Sequence, residues 1–468
     1  MAYNHKEPKI RWIFYVNRHK IEQYSNYHNL YYLSMVKINI IMKRYCSFRY
    51  ITTIILLFLL QSSMLAQVIE KNGKPNPAVD YASLTRIDNL VNDYINKDWV
   101  KSVVTIVIKD NQLIQYKGYG FADAETKKAM PNDAIFRIMS QTKAITSTGI
   151  LMLYEEGKLL LDEPIADFIP EFSHPVVLDK YHASDTTYTT VPAKRDITFR
   201  DLLTHSSGID YADIGTDNMN AIYAKAGVPS GLGYFDASLL DKMKILAKQP
   251  LAFQPGERWQ YGLNSDLLGC LIELISGKNL EDFFRERIFG PLGMNDTYFN
   301  VPASKANRLA TVYTEDASHH IIKWDHHFRN IDPDYATMNK HYFSGGAGLS
   351  STAWDYAVFL QMMLNKGMYN GHKILAPRTV EMMLSGQLDT MYNGINNFGL
   401  GFEIVTPKGA ALAPKNVGSF GWGGYFGTTY WADPKENLVC LIMTQQNPNS
   451  HGDISEKIEA LVYASLKK

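Results

Sequence analysis

Ser140-Gln141-Thr142-Lys143-Ala144-Ile145-Thr146-Ser147-Thr148-Gly149-Ile150-Leu151-Met152-Leu153-Tyr154 is the stretch on which the reading of this chain turns. Nearly every residue in it is apolar or small, the pattern of a helix buried on almost all sides. Gly157 ends it. Lys143 breaks the pattern, because a cation inside an apolar helix needs a reason to be there. Ser140 stands three residues earlier, and residues at i and i+3 share a helix face, so a hydroxyl and an amine can meet.

Working outward, Lys101 to Asp110 is rich in Val and Ile and is followed by Asn111 and a second run, Leu113 to Phe121. That spacing predicts a β-hairpin. Near the other end, Phe398 to Val405 and Gly427 to Asp433 read as strands, and Leu438 to Thr444 as a buried strand. Ile454 to Leu466 reads as an amphipathic closing helix. The middle, roughly 140–397, is helix-dominated, with further helices over Leu267 to Ser276 and Leu280 to Ile288. Strands at both ends with helices between predict an α+β fold: a central antiparallel sheet drawn from both chain ends, flanked by helices, with an inserted helical lobe. Residues 80–468 contain no internal repeat or low-complexity linker and read as one unit.

The chain has 468 residues, of which 46% are hydrophobic and 20% charged, which excludes a disordered polymer. Its formal charge of zero hides a split: residues 1–66 carry net +7 and the remainder net −7. A mildly acidic body without a basic stripe argues against nucleic acid as a partner. The positive charge belongs to a leader. Lys43, Arg44 and Arg49 precede the apolar run from Ile51 to Leu60, and small residues surround a cut after Ala66. Residues 42–66 therefore read as a signal peptide, and 1–41 as an upstream mis-start. The expected destination is periplasmic or secreted, with no stable membrane span after cleavage. An uncleaved anchor over 51–66 is the alternative. Beyond the leader, Cys270 and Cys440 both sit in apolar runs and read as core residues rather than a pair.

Several chemistries lack their motifs: there is no H-E-x-x-H, C-x-x-C, G-x-x-x-x-G-K-[ST] or G-x-S-x-G. No metal and no organic cofactor is implied. His319, His320, Asp325, His326 and His327 cluster in sequence, but neighbouring histidines on a hairpin point to opposite faces, so a solvated hairpin is expected there. Ser140 with Lys143 is the pattern that carries chemistry. A serine hydroxyl is a weak nucleophile until a neighbour takes its proton, and a lysine whose charge is disfavoured by burial does that. The motif alone is weak, since Ser34 with Lys37 and Ser465 with Lys468 match it too.

The surrounding segments are more specific. They are Gly157-Lys158-Leu159-Leu160-Leu161-Asp162-Glu163-Pro164, Asp201-Leu202-Leu203-Thr204-His205-Ser206-Ser207-Gly208 and Pro255-Gly256-Glu257-Arg258-Trp259-Gln260-Tyr261. Further along come Pro291-Leu292-Gly293-Met294, Gly345-Gly346-Ala347-Gly348-Leu349-Ser350-Ser351 and Gly421-Trp422-Gly423-Gly424. In this order the set resembles the serine β-lactamase and penicillin-binding superfamily, on the branch with class C β-lactamases, D-stereospecific peptidases and family VIII carboxylesterases. The resemblance implies a β-lactamase/transpeptidase-like fold and a serine hydrolase acting through an acyl-enzyme. It makes Ser140 the nucleophile, Lys143 its partner and Tyr261 the second-motif tyrosine that relays protons. It also gives an oxyanion hole from the backbone amides of Ser140 and Tyr425, and a substrate-binding segment of Trp422, Gly423 and Gly424. His205 is expected to fix a loop near the cleft.

Two departures bear on substrate. The Y-x-N of β-lactamases reads Tyr261-Gly262-Leu263 here, which puts Leu263 at the substrate-binding position, with Asn264 one residue late. The K-T-G reads Trp422-Gly423-Gly424. Exchanging an ammonium for an indole disfavours carboxylate-bearing β-lactams and D-Ala peptides and favours neutral acyl groups. A carboxylesterase on small or medium neutral esters is the expected activity. A β-lactamase, D-aminopeptidase or DD-carboxypeptidase is the alternative, and a non-catalytic sensor or binding relative a further one. The expected partner is a small-molecule ester, amide or peptide, and the oligomeric state stays open.

Overall fold

The computed structural model describes residues 68–467 except 234, 326–330 and 389–391, together with Met35 and Lys37. The expected signal peptide, the upstream segment, His326 and His327 lie outside the described residues. Contacts divide the chain into Met1–Ala66 and Gln67–Lys468.

The sheet uses both chain ends. Its strands are β1 (Ser102–Lys109), β2 (Gln112–Asp123), β3 (Lys128–Ala129), β4 (Asn397–Phe398), β5 (Glu403–Ile404), β6 (Phe420–Gly423), β7 (Thr429–Asp433) and β8 (Leu438–Met443). They lie in the order β4-β5-β6-β7-β8-β1-β2-β3, antiparallel throughout. β1 and β8 are central, and every residue in both is buried. Their near-continuous Val/Ile/Leu composition follows, since a strand covered on both faces has no solvent side to mark with polar residues.

Among the helices that cover the sheet and build the lobe are α1 (Arg86–Asn96), α2 (Thr142–Glu155), α3 (Asn264–Ser276), α4 (Ala353–Leu364) and α5 (Ile454–Ala464). On one face Val103, Val107, Cys440 and Ile442 pack with Ile87 and Val91 of α1 and Ile458 and Val462 of α5. The opposite residues, Val104, Ile106, Val439 and Leu441, join the large core that holds α2, α3 and α4. Cys270 belongs to that core and Cys440 to the other, and both are free thiols. Asp80 N donates to Ser465 O at 2.7 Å, tying the start of this unit to its end. Packing begins before residue 80, because Ile69 is buried and Glu70 bridges to Gln112.

The expected α+β architecture holds, with two local corrections. Phe398 to Val405 is two short strands rather than one, because Gly399 N bonds Phe402 O at 2.8 Å and turns the chain between β4 and β5. The helix expected from Ser140 starts at Thr142, and Ser140 sits in the 3-10 turn Met139–Gln141 before it. His319 and His320 are exposed in the turn between the short strands Tyr313–Glu315 and Ile321–Lys323, the expected solvated hairpin.

Candidate active site

Ser140 stands where the short strand Phe136–Arg137 gives way to α2. The residue before it, Met139, has φ +48°, a left-handed conformation that strains an unbranched but bulky side chain by about 1–3 kcal/mol. Burial holds it there: Met139 is fully enclosed, and its Sδ accepts a hydrogen bond from Tyr335 OH at 3.0 Å. The serine is thus carried on a tight, fixed turn at the head of a buried helix.

Lys143, one turn on, is 3% exposed. Its Nζ donates to Ser140 Oγ at 3.2 Å, to Tyr211 OH at 3.0 Å and to Gly346 O at 2.8 Å. The face of the Tyr261 ring covers the same ammonium, its centroid 4.5 Å from Nζ. Tyr261 OH accepts from Trp422 Nε1 at 3.3 Å. The structure therefore brings Ser140, Lys143, Tyr261 and Trp422 together, but the phenol oxygen in contact with the lysine is that of Tyr211.

Tyr211 was not among the residues singled out from sequence, although it follows the quoted segment 201–208 by three positions. Burial, and then the negative charge that Tyr261 and Asp266 would bring, holds its hydroxyl well above the usual phenol range. Tyr211 stays a neutral phenol. Tyr261, by contrast, lines the open cleft beside Ser140.

The cleft has a volume of about 410 Å³ and is lined by Ser140, Ile214, Tyr261 and the segment Trp422–Tyr425 followed by Gly427, Thr428 and Thr429. None of these lining residues carries a charge. Trp422 packs against Tyr261 and Phe398, with ring centroids 5.7 and 5.4 Å apart, and Trp259 and Tyr392 back them up. Gly424 is glycine for a steric reason. A Cβ there would stand 2.5 Å from Ile138 O, so the end of β6 lies directly against the backbone leading into Ser140. Ser140 and Tyr425 both line the cleft.

Leu263 does not face substrate. It is fully buried in the large core, and Asn264 beside it is buried as well. Asn264 bonds the Ser207 hydroxyl through Oδ1 and His205 Nδ1 through Nδ2, the latter at 2.9 Å. One residue of offset from Y-x-N turns the amide away from the cleft and into the loop beneath it. His205 is part of that brace. Burial, and then the positive charge of Lys143, keeps its pKa well below the usual histidine value, so it is neutral.

Comparison with known proteins gives the family and the fold. The Beta-lactamase family pattern matches residues 87–464. A Mycobacterium tuberculosis protein is 31% identical over 375 residues, 77% of this chain and 89% of that one. Esterase EstB of Burkholderia gladioli is 27% identical over 379 residues, 78% of this chain and 92% of that one. Among solved structures, EstCE1, described as a hydrolase with promiscuous acyltransferase activity, has a TM-score of 0.69 at 24% identity, covering 82% of this chain and 99% of its own, a likeness of fold. The chain belongs to the beta-lactamase family. It is a serine hydrolase. Among the described residues no helix is long and apolar enough to cross a membrane, and no cluster of His, Cys, Asp and Glu is arranged to hold a metal ion.

Proposed function

We propose that this chain is a carboxylesterase for small or medium neutral esters, working through an acyl-enzyme on Ser140. The observation that carries the reading is the cleft itself: Trp422, the residue that the motif resemblance aligns with the β-lactamase lysine, lines it, and no lining side chain is charged. A substrate carboxylate would find no cationic partner among those lining residues, whereas an apolar acyl group gains from the aromatic wall. Similarity to an esterase at 27% identity supports the same choice.

In this mechanism Ser140 Oγ attacks the ester carbonyl as Lys143 takes its proton, at the 3.2 Å contact already formed. The amides of Ser140 and Tyr425 receive the oxyanion. Tyr261, with Lys143, returns a proton to the leaving alcohol, and water then releases the acid. Trp422, Gly423 and Gly424 bind the substrate along the end of β6. The proposed route of the protein is export, with cleavage after Ala66.

The test compares p-nitrophenyl esters, a chromogenic cephalosporin and D-amino-acid amides as substrates for the purified protein. Ester turnover is expected to dominate, and cephalosporin turnover exceeding it overturns the substrate assignment. A fluorophosphonate should label Ser140. Labelling that persists in Ser140→Ala removes the nucleophile.

A further inference from the structure

Arg137 ends the short strand Phe136–Arg137, three residues before Ser140, and is 3% exposed. Its Nη1 donates to Ala310 O at 2.9 Å. Its Nε is buried without a hydrogen-bond partner, and its Nη2 makes no bond among the described residues. No carboxylate forms an ion pair with it among the described residues, and Asp334 and Asp332 act on it only from a distance. A second cation, Lys340, is buried near enough to feel the charge of Arg137 and donates to the carbonyl oxygens of Tyr335 and Met338, with Glu281 acting on it from a distance. Two buried cations held by carbonyl oxygens are short of negative charge, because a charge taken out of water needs a counter-charge or a full set of hydrogen bonds.

Arg137 lines a cavity of about 330 Å³ that shares no lining residue with the cleft at Ser140. Leu309, Val312 and Trp324 give this cavity an apolar wall, and Lys323 and Asp334 are the other charged residues that line it. Lys323 Nζ lies 3.7 Å from Asp123 Oδ2 on a side chain that is half exposed, so water and its partner screen that charge. Asp334 is exposed as well. The guanidinium of Arg137 is thus the buried charge at a cavity whose walls are otherwise largely apolar.

We propose that this cavity binds a short-chain carboxylate, with Arg137 holding the carboxylate and the apolar wall holding the alkyl chain. The guanidinium is always charged, and its planar set of N–H donors matches the two oxygens of a carboxylate. The ligand supplies the negative charge that Arg137 lacks in the protein alone. Asp334 selects a single charge, since a dianion such as phosphate meets more repulsion from it and gains nothing from Leu309, Val312 and Trp324. The volume leaves room for a chain of a few carbons. Binding here asks nothing of Ser140 and stands apart from the esterase reading.

The experiment titrates sodium butyrate into the full-length protein at neutral pH in a calorimeter, with sodium chloride holding the ionic strength constant. A Kd of about 1 mM is expected, the affinity open to so small a ligand. Inorganic phosphate and butanol, which each lack one half of the recognised chemistry, should bind at least about tenfold more weakly. Arg137→Gln should weaken butyrate by about tenfold or more. Asp334→Asn, at an exposed position, removes a like charge and should tighten butyrate by about threefold. Where Arg137→Gln folds, an unchanged affinity in it overturns the site; where it does not fold, an unchanged affinity in Asp334→Asn does so. Heat no greater than that of dilution, or phosphate binding as tightly as butyrate, overturns the ligand class. Protein treated with a fluorophosphonate separates this cavity from the cleft. Butyrate affinity should survive labelling of Ser140, and its loss would place the ligand in the cleft and overturn the proposal. If Ser140 does not label, the nucleophile falls while the Arg137 and Asp334 variants still decide the site.

Discussion

Trp422→Lys puts the substrate assignment under direct strain, since it restores an ammonium at the one position where the cleft has an indole. The side chain at 422 lies against Tyr261: Nε1 of the indole is 3.3 Å from its OH. A unit charge about 4 Å from a carboxylate is worth about 4 kcal/mol at the effective dielectric of a protein surface. This cleft is open to solvent, so screening reduces the gain to about 1.4 kcal/mol, about tenfold. The assay is the ratio of kcat/KM for p-nitrophenyl hemisuccinate to that for p-nitrophenyl butyrate, two esters of similar length that differ by a terminal carboxylate. The ratio should rise about tenfold in the variant, and the rise should shrink at high salt. The substitution also removes ring contacts to Tyr261 and Phe398, about 0.5–1.5 kcal/mol each, so the midpoint of urea unfolding should drop as well. A ratio unchanged in a folded variant refutes the argument, for it would mean that the charge at 422 has no part in choosing the acyl group.

Leu263→Ala should lower stability by about 2–5 kcal/mol in urea unfolding while leaving KM for a neutral ester within about twofold, because the side chain fills core. A large KM change without loss of stability would return Leu263 to the substrate. His205 is held neutral in the fold, whereas the unfolded chain takes up a proton near pH 6.5, so this residue makes the protein less stable as pH falls through that value. His205→Gln should therefore flatten the loss of stability between pH 7 and 5, and an unchanged pH dependence would contradict a neutral imidazole.

Much of this architecture was written locally. The strands β1 and β8 show as unbroken apolar runs because each is covered on both faces, and α2 shows as a helix without a polar side for the same reason. The one lysine inside that helix announced a site, since burying an amine is unfavourable unless something uses it. Tyr211 and the carbonyl of Gly346 could not be found that way. Each comes to Lys143 from a different loop, 68 and 203 residues away along the chain.

The shift at Leu263 shows the same boundary. A motif in the sequence places a residue by its spacing, and spacing put Leu263 in the cleft. The tertiary structure turned it into the core and sent Asn264 to His205 instead. What the chain determined by itself was which segments bury their faces and which serine has a cation within one helical turn, both consequences of period and composition. Which phenol and which carbonyl touch that cation, and what the cleft leaves uncharged, are settled only where distant segments pack. Those properties depend on distances of 3 to 4 Å that no local pattern encodes.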